Sequence, residues 1–483
     1  MPPRRSASAL SFAEPLQRSA LQGWVDRSLA EGLSEARSRG AAVLHISARR
    51  VNWDLPLGVF DSSIEDAQFF GGPERAVLGV GAAKAFDLGP PERMGSRARR
   101  SLLRLGAVSA ADASKVMVIG GWGFPSSRGQ SEERVWRNFP ASRWVIPAFT
   151  LASSGRETHL TLVAHVKPSS QAGPLRAVYR ALISRLERSA GIVGDRSDGA
   201  LPTLKTARSI PSGRRWVSLA RKAVEDISRG DLRKVVLSRA VSLRFTGRLP
   251  ASAVLKRLIT LNPDSTVFAI KRRGSVFLGA TPESLLSLRS GEVKVDCLAA
   301  SSPRTSDKST DDALGARLLR DTKSSREHQF VVQAAVSALS PISSTVEVPG
   351  APVLKRLTTI QHLYTPVKAS LFEGEDVWAA ATALWPTPAI GGVPNERAVR
   401  WLGKSEVARR GWYSGVVGLM NARQTEADFV VGIRSGVING AQAVVYAGAG
   451  IVAGSDPHEE LEETDWKLRT MERALGVDAD GGG

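Results

Sequence analysis

The stretch Ala443-Val-Val-Tyr-Ala-Gly448-Ala-Gly450-Ile-Val-Ala-Gly454-Ser-Asp-Pro457, with the acidic run that follows it to Lys467, decides how this chain folds and what it holds. It opens as an apolar strand, passes three glycines within seven residues, and meets Ser455-Asp456-Pro457, where Asp456 can N-cap a helix whose first residue is Pro457. Glycines let backbone N–H groups approach an anion with no Cβ in the way, and a helix N-terminus adds partial positive charge. Strand, bare backbone and helix start therefore predict a cradle for a carboxylate or phosphate. The helix itself is acidic: Glu459, Glu460, Glu462 and Glu463 precede Lys467, and Glu460, Glu463 and Lys467 at i, i+3 and i+7 share one face. Carboxylates beside an anion site point to a divalent cation between them. Taken alone they read more simply as a dipole-favoured first turn, with Glu459 completing a capping box.

Working outward, 483 residues at 42% hydrophobic suffice for a large core, either two to three domain-sized units or one oversized fold. No run approaches the roughly 18 apolar residues of a membrane span, so no membrane contact is expected. The opening Met1-Pro-Pro-Arg-Arg-Ser6 has no apolar segment behind its charges, which argues against secretion. Rich in Arg and Ser and free of acids until Glu14, it reads as a frayed tail in preference to an organelle transit segment. A single cysteine, Cys297, excludes a disulfide framework and a Cys-based metal site, and fits a cytoplasmic protein. The net charge of +18 invites a nucleic-acid partner, but the basic residues are scattered, with short clusters at Arg97-Ala-Arg-Arg100 and Lys271-Arg-Arg273 and no recognition motif. No nucleic acid is expected; a general positive field would also draw in a small anion.

Along the first 200 residues, short apolar strands are predicted at Ala42–Ile46, Val116–Ile119, Trp144–Leu151 and His159–Val166, closed by a helix over Pro174–Arg188. Gly194 to Pro211 is polar and Pro/Gly-spaced, a connection. Trp216, Val217, Ala220, Ala223, Val224 and Ile227 follow helical spacing and stop at Gly230, and this helix feeds a strand that Lys234 begins. Further strands are predicted at Thr266–Lys271, Val276–Leu278, Glu292–Leu298, Arg356–Leu371, 427–434 and 442–447, and helices over Thr310–Leu339, Trp378–Leu384 and Glu396–Leu402. Residues 1–204 thus form a strand-rich N-terminal part, 205–476 the core, and 477–483 a tail.

Nine segments, in order, carry a resemblance: Lys234-Val-Val-Leu-Ser-Arg239, Gly279-Ala-Thr-Pro-Glu283, Leu298-Ala-Ala-Ser-Ser-Pro-Arg304, Lys323-Ser-Ser-Arg-Glu-His328, Gln361-His-Leu363, Pro386-Thr-Pro-Ala-Ile-Gly-Gly392, Tyr413-Ser-Gly-Val-Val-Gly418, Ile433-Arg-Ser435 and Ala447-Gly-Ala-Gly-Ile-Val-Ala-Gly-Ser455. Over residues 205 to 475 the chain resembles the chorismate-utilising enzymes: isochorismate, salicylate, anthranilate and aminodeoxychorismate synthases. The segment Arg143-Trp-Val-Ile-Pro147 is similar to that region of isochorismate synthases of menaquinone biosynthesis. The resemblance implies an α+β fold in which two large, mainly antiparallel sheets pack together with helices outside, and Mg²⁺-dependent substitution on chorismate, a small dicarboxylate with a hydroxyl at ring C4.

By that resemblance Lys234 matches the general base of the water-using members and Glu283 the acid that protonates the departing hydroxyl. Glu327 and Glu463, with Glu460 close by, match the magnesium ligands, and hard carboxylate oxygens suit that ion. Tyr413 and Arg434 match positions that bind the side-chain carboxylate, Lys467 one near the ring carboxylate, and Gly448 and Gly450 the backbone cradle. Ala299, His362 and Thr387 fall at positions matching the substrate site. Ala299 stands where the covalent aminodeoxychorismate synthases carry a lysine nucleophile, and Ala300-Ser-Ser-Pro-Arg304 is a loosened form of the usual Gly-Thr-Arg-Pro-Arg. No glutaminase cysteine is fused, so no glutaminase subunit is expected. The implied activity is isochorismate synthase, feeding menaquinone or siderophore and salicylate synthesis, in a monomer or homodimer. A salicylate synthase is the alternative, ahead of an anthranilate synthase or a non-catalytic basic binding protein.

Overall fold

The computed structural model describes residues 18–51, 53–72, 75–89, 115–125, 133–154, 157–191, 201–230, 232–356 and 360–477. The basic cluster at 97–100 and the N-terminal run before residue 18 lie outside these.

Val and Leu, with Ile and Phe, fill most of the buried strand positions, because a pleated surface buried on both faces favours branched and aromatic side chains. Two sheets result, one of 12 strands and one of 10. The larger takes Val43–Val51, Glu157–Val166, Phe149–Ser154, Arg75–Val80 and Asp66–Gly71 from the first part of the chain, then continues without a break into Thr266–Arg272, Ser275–Thr281, Ser435–Asn439, Gln442–Val452 and Lys234–Phe245. Every paired strand runs antiparallel to its neighbour, and the seam is Val267↔Gly71 through Arg272↔Asp66. The smaller sheet does the same at Val416–Asn421, which pairs with Met117–Trp122.

Between the sheets lies an aromatic layer. Phe268, Phe277, Tyr446 and Val444 of the larger sheet meet Ile119, Val417 and Val430 of the smaller, with Trp136, Phe139 and Trp412 filling the gap. A second core lies under the helix Gly213–Ser228 and includes Trp122, Trp144, Trp378, Trp385 and Phe429. Within it Trp144 and Trp378 meet edge-on at 4.4 Å, a geometry in which positive ring edge faces negative ring face. A third covers the outer face of the larger sheet with the helices Arg18–Arg39, Ala172–Gly191 and Ala251–Leu261 and the end of Pro457–Ala474.

Several elements differ from expectation. The helix predicted over Thr310–Leu339 is two, Lys308–Arg320 and Thr322–Leu339, because the Asp321 carboxylate accepts from Ser324 N at 2.7 Å and caps the second. The strand predicted over Arg356–Leu371 is a pair, Val353–Arg356 and Ile360–Leu371, with Arg356 opposite Gln361. Arg18–Arg39 is a helix in a region read as strands and turns, and Ala251–Leu261 is a further helix that the sequence reading lacks. Among the described residues no helix is long and apolar enough to cross a membrane.

Candidate active site

Strand Lys234–Phe245 lies deep in the larger sheet. It pairs along its length with Gln442–Val452, and its other edge meets Gly392–Val393 at one end and Leu204–Ile210 at the other. In that register Lys234 faces Val452, Val236 faces Gly450 and Ser238 faces Gly448. Because alternate residues share a face, Gly448 and Gly450 make a bare strip on the face that Lys234 occupies. Both glycines therefore lie within the strand itself, which runs on to Val452 past the end predicted at 447. Their role is clearance: a Cβ at Gly450 would stand 2.9 Å from Lys234 Cε and 3.4 Å from its Nζ, and one at Gly448 would stand 3.3 Å from the Tyr413 hydroxyl. Lys467 Nζ donates to Gly448 O at 2.9 Å and pairs with Glu463 at 2.7 Å.

Over this strip the charged groups gather. Burial holds the Lys234 ammonium below the usual lysine range; the Glu283 carboxylate opposes, Lys467 reinforces, and Glu327 and Glu463 oppose more weakly. Burial raises the Glu283 carboxyl above the usual carboxylate range, against a hydrogen bond from Thr387 and the charges of Lys234 and Lys467. Thr387 Oγ1 donates to Glu283 Oε1 at 3.2 Å. Thr387, which the resemblance places at the substrate site, thus also braces the Glu283 carboxyl. Lys234 and Glu283 are pushed toward each other: a lysine that loses its proton more easily faces a carboxyl that keeps it longer.

Arg434 sits with φ +50 at the turn into Ser435–Asn439. Burial draws its pKa down, Tyr413 and Glu463 act on it electrostatically, and among the described residues its guanidinium has no hydrogen-bond or ion-pair partner, although its carbonyl accepts from Ala280 N. The Tyr413 ring stacks on Tyr446 at 5.1 Å, and burial pushes its hydroxyl up to about 12. Tyr446 is held in turn by Trp136, whose Nε1 donates to its hydroxyl at 2.7 Å.

On the helix Pro457–Ala474, Asp456 caps the first turn by accepting from His458 N and Glu459 N. Glu460 accepts from Ser455 Oγ at 2.8 Å. Burial raises its carboxyl, the Ser455 bond opposes, and contact with Glu463 adds to the rise. Glu463 moves the other way: burial would raise it, but Lys467 holds it down. Two touching carboxylates with opposite shifts describe a pair in which one tends to keep a proton, and a cation can take that proton's place. Glu327 is exposed on the helix Thr322–Leu339 and acts on Lys234 across the site. Among the described residues no three acidic, His or Cys side chains lie close enough to enclose an ion by themselves. The donors fit an ion such as Mg²⁺, which takes one or two carboxylates and completes its shell with water and a bound anion.

Ala299 and His362 belong to neighbouring strands of the smaller sheet, Ala299 opposite Leu363 and His362 opposite Ser301 across a bulge at Ala300. His362 Nδ1 lies 2.8 Å from Ser301 Oγ, and its pKa is lowered chiefly by burial, with Lys355 the only charge acting on it. Among the described residues no hydrogen bond or charge effect joins these two to the Lys234 group. Sequence reasoning missed Arg239, which bonds Thr464 Oγ1 at 2.6 Å, pairs with Asp465 and pins the acidic helix to the base's strand. Its place in the Lys234–Arg239 segment was the available signal.

The family model for chorismate binding enzymes matches residues 31–476. The salicylate biosynthesis isochorismate synthase of Pseudomonas aeruginosa is 34% identical over 361 residues, 74% of each chain. Isochorismate synthase MenF of Bacillus subtilis is 33% identical over 360 residues, again 74% of each. Two antiparallel sheets enclosing a lysine, a buried carboxyl and a carboxylate pair define the class, and the chain belongs to the chorismate binding enzymes. Among solved structures, MenF, the menaquinone-specific isochorismate synthase from Escherichia coli, superposes with a TM-score of 0.76 at 24% identity over 94% of this chain and 99% of that one. Anthranilate synthase component I from Streptococcus pneumoniae reaches 0.64 at 20% identity over 88% of this chain and 92% of that one. The shared fold thus spans members of different chemistry.

Proposed function

We propose that this chain is an isochorismate synthase that adds water at C2 of chorismate and expels the C4 hydroxyl. The observation that carries the proposal is the opposed pair, Lys234 drawn toward neutrality and Glu283 toward protonation across one bare strip of sheet. Water is a poor nucleophile and hydroxide a poor leaving group, and a base and an acid relieve each difficulty by on the order of 10²–10⁴-fold. Neutral Lys234 takes a proton from the water whose oxygen bonds to C2, the ring double bonds shift, and the C4–O bond breaks as Glu283 gives its proton to the leaving oxygen. One water enters and one leaves. Arg434, free of any protein counter-ion among the described residues, and Tyr413 would take the side-chain carboxylate. Lys467 would lie near the ring carboxylate, and Gly448 and Gly450 leave the substrate room. Glu460 and Glu463, which touch each other, would hold Mg²⁺ with Glu327 contributing from across the site, and the ion would supply positive charge for a substrate carboxylate.

Two relatives named for isochorismate synthesis at above 30% identity support this product over anthranilate, and Ala299 offers no amine for covalent attack. Feeding menaquinone or siderophore and salicylate synthesis fits the names of the same relatives, and the chain would act as a cytoplasmic monomer or homodimer. Purified protein incubated with chorismate and Mg²⁺ at neutral pH is expected to build an equilibrium mixture of chorismate and isochorismate. Stoichiometric pyruvate, detected with lactate dehydrogenase and no added lyase, would sink this reading in favour of a salicylate synthase.

A further inference from the structure

Glu406 and Arg410 form an ion pair whose side chains are each 2% exposed. Their chemistry is unused above, yet they touch the supports of both the base and the acid. Arg410 Nη2 donates to Val236 O at 2.6 Å, two residues along the strand from Lys234, and Glu406 Oε1 accepts from Ser238 N at 2.8 Å on that same strand. Arg410 Nη1 donates to Ile390 O at 2.8 Å. Ile390 and Gly391 close a turn onto Thr387 O, at 3.1 and 3.0 Å, and Gly391 O accepts from Val236 N at 3.0 Å. Thr387 ends the chain of contacts on Glu283. Two bonds between Arg410 and Glu406, at 2.8 and 2.6 Å, and the Phe124 ring 4.2 Å beneath the guanidinium fix the fork's plane.

A buried ion pair rarely adds net stability over packed apolar side chains. What this one adds is direction: a planar fork joins two backbone segments that no covalent path holds in register. We infer that Arg410, oriented by Glu406, is a positioning residue that sets the separation of Lys234 from Glu283, acting through Val236 on one side and through the Thr387 turn on the other. The inference rests on the base and acid roles proposed above. It assigns a task to two residues lying between the Asn395–Ser405 helix and Tyr413, outside every motif that carries the resemblance.

The test is steady-state kinetics on the full-length protein with chorismate, for Arg410→Lys, Thr387→Val and the double variant, alongside thermal melting. Lysine keeps the charge but cannot bridge both carbonyls in one plane. Arg410→Lys is expected to lower kcat about 10- to 100-fold with KM within about threefold, since a displacement near 1 Å is felt in the chemical step more than in binding. Because Arg410 acts through Thr387, the double variant should be no slower than about threefold below the slower single variant. Unchanged kcat in Arg410→Lys, or losses that multiply in the double variant with KM rising in step, would overturn the inference. If Arg410→Lys does not fold, Glu406→Gln, which keeps the volume and an acceptor for Ser238 N, is read by the same criteria. Failure of the underlying reading looks different: the unmodified protein would then form no isochorismate.

Discussion

At Gly450 an added Cβ meets the far end of a flexible lysine rather than backbone. Gly450→Ala therefore leaves the strand intact and turns Lys234 aside. Melting is expected to change little while kcat falls roughly 10- to 100-fold, and an unchanged kcat with an intact fold would remove Lys234 from the base's role. Thr387 gives a second prediction at this scale. Its hydroxyl stabilises the charged form of Glu283, so Thr387→Val raises the pKa of that carboxyl further. Turnover needs Lys234 neutral and Glu283 protonated, so kcat/KM against pH is bell-shaped. The limb belonging to Glu283 is expected to move to higher pH in Thr387→Val while the other limb stays. Movement of both limbs, or of neither, would show that the carboxyl does not titrate in catalysis.

The helix Pro457–Ala474 brings Glu460 and Glu463 to the site from a first turn capped by Asp456. Asp456→Ala removes an acceptor for two backbone N–H groups and is expected to cost about 1 kcal/mol. As that turn frays, the Mg²⁺ concentration for half-maximal activity should rise, read by titrating activity with MgCl₂; the same half-saturation in both proteins would separate the turn from metal binding. This element also shows what the sequence could carry. Asp456, Pro457 and the acid spacing are local signals, and the helix, its cap and its acidic face are legible from them. The contact of Thr387 with Glu283 joins residues 104 apart in the chain, a pairing no local pattern reports. The sequence ends the strand at 447 and leaves Gly448 and Gly450 as bare backbone beyond it, since glycine opens backbone in either setting; only the register opposite Ser238 and Val236 shows that they clear a strip of sheet. The break at Asp321 is hidden because the polar run Thr322 to Gln329 that follows it holds no Gly or Pro to mark a helix end.

Each sheet is assembled from both ends of the chain. Removing residues 1–204 would strip Asp66–Gly71 from Thr266–Arg272 and Met117–Trp122 from Val416–Asn421, baring two apolar strand edges. The segment 205–483, although it holds every proposed site residue, is therefore expected to aggregate when produced alone, and a soluble, monomeric, cooperatively melting fragment would count against that. Lys271 tests the junction in the intact protein. Buried beside it, the ammonium donates to Val59 O and Ser62 O, and burial draws its pKa down to about 8 from 10.5. Between those values the unfolded chain binds a proton that the folded one does not, so this group's contribution to stability rises with pH and is lost as pH falls through about 8. Urea unfolding at pH 8 and pH 10 should show the unmodified protein gaining on Lys271→Met at the higher pH. An equal gap at both would mean that the lysine titrates alike in both states.

The strand Lys234–Phe245, paired on both edges, has a counterpart in time. Its amides near Leu237 should be among the last to take up deuterium, while the first turn bearing Glu460 exchanges early. Lys234 would then be held in place through many turnovers, while Glu460, on a turn that opens and recloses far more often, would be free to meet each arriving ligand and let the product go.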